Sequence, residues 1–490
     1  ITEEDTMSVA SAMSASQLGG SSVEISRTSS SWPSGNRVFE FSHTLWRSIV
    51  LETMLKERQR QIHERIATKM EESTNLFHGQ SDLSVLLRLF DHWKSSGDFA
   101  KAGGIALFVS KQLIAFDLLH QCIDLLREAK DLCVRSLQPL EPNDMHKEHS
   151  QEDWVLVSAD SDVMDLIVRL YLGLSEACKL LPDGPACLDA LQDAYTILKS
   201  SGHGSGTLTI RVLSELCLLS DDFEVNDQQQ KSLLNELVQA ARKEGSSVHL
   251  LNALSLESTF LASKQDFEGA LRSARLVLSV FTIEDHSGRL VKVYGKDRAL
   301  DVCCQAILWY FLLGEEEKAL EQAKTVICTF LPYQNPHDVT AIMSLLLPAI
   351  LVLKFVGRAS DALFLLGKYV VNPHHEYSPL ETYWVELYNP LIYLLQVVSM
   401  EEEGGSVDQR LVDSIKTWVL QESSSYFSAH HLRMGHMFMG EICFHLGQMN
   451  IVDDATCHHL MKKASEFLTP LANDVESEPF IAHSATAMLQ

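Results

Sequence analysis

Trp93-Lys94-Ser95-Ser96-Gly97-Asp98-Phe99-Ala100-Lys101-Ala102 returns, in altered letters, as Leu261-Ala262-Ser263-Lys264-Gln265-Asp266-Phe267-Glu268-Gly269-Ala270. Two more stretches follow the same plan, Phe311-Leu312-Leu313-Gly314-Glu315-Glu316-Glu317-Lys318-Ala319 and Lys354-Phe355-Val356-Gly357-Arg358-Ala359-Ser360-Asp361-Ala362. Each time an apolar run stops at a Gly or polar residue, a short turn follows, and an Ala stands five positions after that residue. Four positions later comes Ala106, Ala274 or Ala323, with Leu366 as the exception. Residues four apart share one helix face. Small side chains there let two antiparallel helices approach closely, which is what a helix–turn–helix repeat requires. Pro332 and Pro373 stand where two such units should stop.

Outward from these breaks the chain reads as helix after helix. From Thr44, Leu45, Ile49, Leu51, Met54 and Leu55 recur at helical spacing, followed by Ile62, Ile66 and Met70 at intervals of four. No strand ladder follows residue 45. The plan resembles the tetratricopeptide repeat, whose period is about 34 residues. The spacing here is wider, 49 from Ala270 to Ala319 and 43 from Ala319 to Ala362, and the Glu284 to Lys296 stretch absorbs part of the excess. Degenerate units are expected around Ala115-Phe116, from Pro185-Ala186 to Ala194, and near Leu446-Gly447. The expectation is an all-α, tetratricopeptide-like helical-repeat solenoid over 44–490, with a sub-break placed near 200–206 or 400–406. An irregular helical domain with turns alike by chance is the competing reading.

Residues 1–43 differ. Serine is dense, and Val23, Ile25 and Val38-Phe39-Glu40-Phe41 alternate with polar neighbours around a Pro/Gly/Asn turn. The segment reads as a short β-hairpin or as a partly disordered stretch.

The sequence has 490 residues and a formal net charge of −25, from 40 Lys+Arg against 65 Asp+Glu. That balance argues against the clustered positive charge of a nucleic-acid binder, and an acidic surface favours basic partners. The most apolar stretch, Leu345 to Leu353, is interrupted by Pro348 and falls far short of the roughly 20 residues a bilayer requires. None of the ten cysteines forms a C-x-x-C pair, and most lie in apolar runs, as buried reduced thiols of a cytoplasmic protein do.

Residues 37–128 carry a second resemblance. Arg37-Val38-Phe39-Glu40-Phe41-Ser42-His43-Thr44-Leu45-Trp46-Arg47 is similar to the signature by which signal-transduction ATPases pass from a winged-helix wing into the next helix. Glu57-Arg58-Gln59-Arg60-Gln61-Ile62-His63-Glu64-Arg65-Ile66-Ala67 resembles that family's basic helix, and Asp91-His92-Trp93 with Gly97 to Ala102 resembles its first repeat. Soluble adenylyl-cyclase-like proteins share the layout. The resemblance implies that 1–43 is the end of a winged helix and that ATP and Mg belong to a module outside these residues. It implies a regulatory scaffold that binds a protein partner or an upstream ATPase module. Two alternatives stand beside it: part of an active nucleotide cyclase or ATPase, and a free-standing repeat scaffold.

Residues that could carry chemistry are few. No G-x-x-x-x-G-K-[ST] phosphate loop occurs: Gly367-Lys368 precedes Tyr369 and Gly295-Lys296 precedes Asp297. Gly202-His203-Gly204-Ser205-Gly206 reads as a linker. Glu315-Glu316-Glu317 and Glu401-Glu402-Glu403 read as solvated loops or helix starts. His430, His431, His436, Cys443, His445, Cys457, His458 and His459 crowd together without a zinc spacing. Lys56, Arg58, Arg60 and Arg65 read as an exposed helix face. No catalytic, cofactor or metal residue is assigned. The partner-binding candidates are Tyr383, Trp384 and Tyr388, which read equally as core between repeats.

Overall fold

The turn sequences do what their residues dictate. Gly97 takes the left-handed conformation at φ 87°, which costs glycine little because it lacks a Cβ. Asp98 then accepts a hydrogen bond from the Lys101 amide at 3.0 Å, capping the next helix. Asp266 caps in the same way through the Gly269 amide at 2.8 Å, after a left-handed Gln265 at φ 60°.

The computed structural model describes residues 53–73, 82–137, 161–181, 183–201, 206–220, 226–334, 338–369, 390–400, 402, 410, 413, 432–448, 454–472, 485–486 and 488. Among these there is no strand. The hairpin expected within 1–43 lies outside the described residues. The chain divides into two compact units, residues 1–227 and 228–490.

In the first unit, α1 (Lys56–Ser73) packs on α2 (Leu83–Ser96), and α2 on α3 (Phe99–Ala115). Two hairpins follow, α3 with α4 (Leu119–Leu137) and α5 (Ser161–Leu180) with α6 (Gly184–Ser201), and α7 (Gly206–Ser220) packs on α6. Helix α3 also touches α5, and α5 touches α7, so these three form one row. The two hairpins match without a gap: Ser110 and Cys122 become Ser175 and Cys187, and Leu126 and Ala129 become Leu191 and Ala194. The contacts repeat with the letters. The Cys122 thiol lies 3.7 Å from the Ser110 carbonyl oxygen, and the Cys187 thiol 3.3 Å from that of Ser175. These hairpins correspond to the degenerate units expected near Ala115 and from Pro185 to Ala194.

The second unit opens with α8 (Asp227–Glu244). The hairpin of α9 (Ser247–Ser263) and α10 (Phe267–Val280) follows, then a π turn at Ile283–Ser287 and the short α11 (Gly288–Tyr294). Next come α12 (Arg298–Leu312) with α13 (Glu316–Thr325), and α14 (Val339–Phe355) with α15 (Ala359–Tyr369). A helical stretch at 390–400 is followed by the closely packed pair α16 (Leu432–Gln448) and α17 (Asp454–Ala472). Helix α12 touches both α9 and α14, forming a row like that of α3, α5 and α7.

The alanines singled out in the sequence are where close approach requires them. Ala102, Ala106, Ala270, Ala274, Ala319 and Ala362 are fully buried, as is Leu366. A Cβ on Gly440 would stand 2.6 Å from the Leu468 side chain, so that side chain packs directly on the α16 backbone there. The Gly97 turn nevertheless occupies a different place from the other three. It leads into row helix α3, whereas the turns at Gln265, Gly314 and Gly357 lead out of row helices α9, α12 and α14. A left-handed residue followed by a helix start serves either junction, so local sequence does not tell them apart.

Row helices of the second unit are enclosed. On α9 the run Val248 to Leu256 is buried except for the half-buried Leu250, and α14 is buried from Leu345 to Lys354. Such helices are apolar on nearly every side. Two polar exceptions on α14 and α16 find each other: Lys354 forms an ion pair with the fully buried Glu441.

Candidate interaction site

The stretch Thr282 to Lys296, which lengthens the repeat beyond its usual period, builds a polar cluster against the first turns of α9 and α12. The sequence reads Val248-His249-Leu250-Leu251-Asn252-Ala253-Leu254, so His249 and Asn252 are polar interruptions three residues apart in an apolar helix. Both are buried, and buried polar groups must find partners. His249 Nδ1 lies 2.6 Å from the Tyr294 hydroxyl at the end of α11, with the rings edge to face. Arg298, at the start of α12, donates to Asn252 Oδ1 at 3.5 Å.

A third link fixes the π turn. His286 Nδ1 lies 3.2 Å from the Thr282 amide nitrogen and 3.1 Å from the Thr282 hydroxyl. The other ring nitrogen, Nε2, lies 3.1 Å from Ser247 Oγ, just before α9 proper gathers its apolar residues. Asp297 caps α12 by accepting from the Leu300 amide at 3.0 Å. Burial raises the pKa of its carboxyl, partly offset by hydrogen bonds to the charged form.

The Tyr294–His249 contact ties α11 to α9, and the other links fix the segments on either side of it, while its outer side faces solvent. Arg289, Val291 and Lys292 are exposed, Val291 at 48%, and Leu290 is fully buried as the anchor. Lys296, just past the helix, pairs with Asp301 at 2.9 Å. Arg289 and Lys292 thus stand beside the apolar Val291 on a chain of strongly negative charge, with Glu284 and Asp285 exposed on the preceding turn. This outer side offers donors and contact area of the kind a recognition surface uses. The nearby Cys303 and Cys304 thiols are buried in α12, and burial pushes both pKa values up, away from thiolate reactivity.

Tyr383, Trp384 and Tyr388 lie outside the described residues, as do His430 and His431. Of the remaining histidine–cysteine group, His436 packs against the Phe467 ring at 5.3 Å. Cys443 is buried, with its thiol pKa raised by desolvation to about 12. No group of three or more metal-ligating side chains occurs among the described residues. Glu316 and Glu317 open α13, as expected of an acidic run at a helix start. Glu402 is exposed, as expected, and does one thing more: its carboxylate accepts from the Ala359 amide at 3.0 Å and caps α15 from another part of the chain. Arg358 at the local cap position cannot accept, so the anionic cap is imported. Lys56, Arg58, Arg60 and Arg65 are exposed on α1, as read. No helix of the described residues is long and apolar enough to cross a membrane.

Sequence alone missed the cluster. Its one signal is the pair of polar residues inside the α9 apolar run, and nothing in that run names Tyr294 or Arg298 as partners. No family model matches the chain, and no curated protein matches it. Among solved structures it is similar to the apo form of the quorum sensor NprR from B. thuringiensis, at TM-score 0.49 and 13% identity, covering 83% of this chain and 99% of that one. It is also similar to a signal-transduction ATPase with a tetratricopeptide repeat sensor from Pyrococcus horikoshii, at TM-score 0.39 and 12% identity, covering 90% of this chain and 58% of that one. A third is the Rap conjugation gene regulator of the plasmid pLS20 in complex with the Phr* peptide, at TM-score 0.32 and 13% identity, covering 78% of this chain and 97% of that one. Likenesses at this level fix neither a partner nor a reaction.

Proposed function

We propose that the chain is a non-catalytic, cytoplasmic interaction scaffold that binds a segment of a protein partner at the surface built by α11. The observation that carries this reading is the inserted helix itself, tied to α9 by His249–Tyr294 and anchored by the buried Leu290 while Arg289, Val291 and Lys292 face outward. A surface fixed before binding loses little entropy when a partner arrives. The net charge of −25 draws basic segments toward the molecule at long range. At α11 the local sign is reversed, so the seated segment sets an acidic side chain beside an apolar anchor. The resemblance over residues 37–128 supports placing this scaffold in a multidomain signalling ATPase or cyclase-like protein. A cDNA reaching beyond these residues tests that placement by the presence or absence of a phosphate loop or a metal-binding aspartate pair.

The interaction itself is tested by selecting peptides from a displayed library on the purified chain. Enriched peptides should carry the acidic–apolar pattern, and the double charge reversal Arg289→Glu/Lys292→Glu should weaken them at least about tenfold, equivalent to about 1.4 kcal/mol. Binding that is indifferent to this reversal would sink the assignment to α11. An absence of enriched peptides would sink the scaffold reading.

A further inference from the structure

Helix α1 is attached to α2 with little apolar surface. Of its 18 residues only Ala67 is buried, while α2 buries Leu86, Leu89, Phe90 and Trp93. Two polar links therefore carry much of the contact. Trp93 Nε1 donates to Glu71 Oε1 at 2.9 Å. His63 and His92 meet through their Nδ1 atoms at 2.9 Å, with ring centroids 5.1 Å apart and the planes tilted by 40°.

A hydrogen bond between two Nδ1 atoms needs a proton on one and a bare lone pair on the other. A first added proton preserves the bond, as imidazolium donating to imidazole. A second removes the only acceptor and sets two cations within contact distance, where they repel. The nearby charges do not cancel this. On α2, Asp91 favours the proton on His92, while Arg88 and His63 oppose it. On α1, Glu64 and Arg60 are exposed neighbours of His63, and Glu71 is engaged by Trp93. From α3, Lys101 lies over the Trp93 ring at 3.9 Å, and from α4, Glu128 takes Lys94.

We propose that His63 and His92 form a proton-released latch: mild acid breaks the imidazole pair, frees α1 from α2 and uncovers Trp93. Burial lowers the pKa of both rings below the ordinary 6.5, and for His92 the charge of His63 adds to the lowering. The sign follows from linkage. Below pH 6.5 the unfolded chain takes up both protons, whereas the latched form tolerates one and resists the second, so the stabilisation is full above that value and is lost as pH falls below it.

Hydrogen–deuterium exchange on the full chain, corrected for intrinsic rates, reads α1 directly. Between about pH 7.5 and about pH 5 its protection should fall several-fold, while α9 keeps its protection. His92→Gln offers a donor and an acceptor without titrating, and should flatten the response. Protection of α1 that is constant in the native sequence, or that falls equally in the variant, overturns the latch. Should the variant lose α1 protection already at neutral pH, NMR titration of isotopically labelled histidines in the native sequence decides: both rings must titrate below about 6.5, and either one at or above its ordinary value overturns the proposal.

Discussion

The row α3–α5–α7 in the first unit and the row α9–α12–α14 in the second use the same helix–turn–helix plan to different ends. In the first, two hairpins repeat almost side chain for side chain, and their shared polar contact is a neutral thiol against a serine carbonyl, Cys122 with Ser110 and Cys187 with Ser175. In the second, the hairpins are spread by the Thr282–Lys296 stretch and joined by ionic and polar links: Arg298 to Asn252, Tyr294 to His249, and the buried Lys354–Glu441 pair. Regular repetition leaves no room for a specialised surface. Breaking the period creates one, together with buried polar groups that must be satisfied in pairs.

The sharpest way to break the comparison is at Lys354. Changing Lys354→Met strands Glu441 as an uncompensated buried charge, and denaturant unfolding should show a loss of about 3–5 kcal/mol. The double change Lys354→Met/Glu441→Leu should recover most of it, because two apolar groups need no pairing. The corresponding change in the first unit, Cys187→Ala, removes no charge and should cost far less.

Where the two units share a sequence pattern they should respond alike. Ala106→Leu on α3 and Ala274→Leu on α10 each force a larger side chain into a fully buried position, and each should lower stability by about 1–3 kcal/mol. A marked inequality would show that the two helix contacts differ in closeness despite their common sequence pattern. Glu402→Ala removes the imported cap of α15 and should cost about 1 kcal/mol, with faster amide exchange confined to the first turn of that helix. The smallest effects belong to the left-handed turn residues. Gly314→Ala should destabilise by about 1 kcal/mol, and Gln265→Gly should be neutral or mildly stabilising, because only the former adds a Cβ to a positive φ.

The hairpin turns and their buried alanines were legible because they depend on neighbours in sequence: a helix stop, a cap and a small residue at fixed spacing. The excess length at Glu284 to Lys296 was legible as an excess, but not as a helix presenting Arg289, Val291 and Lys292. Its links run from Tyr294 back to His249 and from Arg298 back to Asn252, separations of 45 and 46 residues that no local pattern encodes. Glu402 shows the same limit. It is exposed, as its acidic run suggests, but its capping role was not legible because the helix it caps begins 43 residues earlier. The matched hairpins in the first unit could have been found by sliding the sequence on itself, since Ser110 and Cys122 keep their separation at Ser175 and Cys187.

Helix α14 carries its own consequence for anyone dividing this chain. With Leu345 to Lys354 buried all round, it has no side that tolerates water, and its only charged side chain in that run is matched on α16. During synthesis it must wait for later helices before Lys354 is neutralised. A fragment ending at Phe355 would display an oily rod with a stranded cation at its tip and should precipitate rather than fold. Cuts meant to yield soluble pieces belong well away from this helix and its partner.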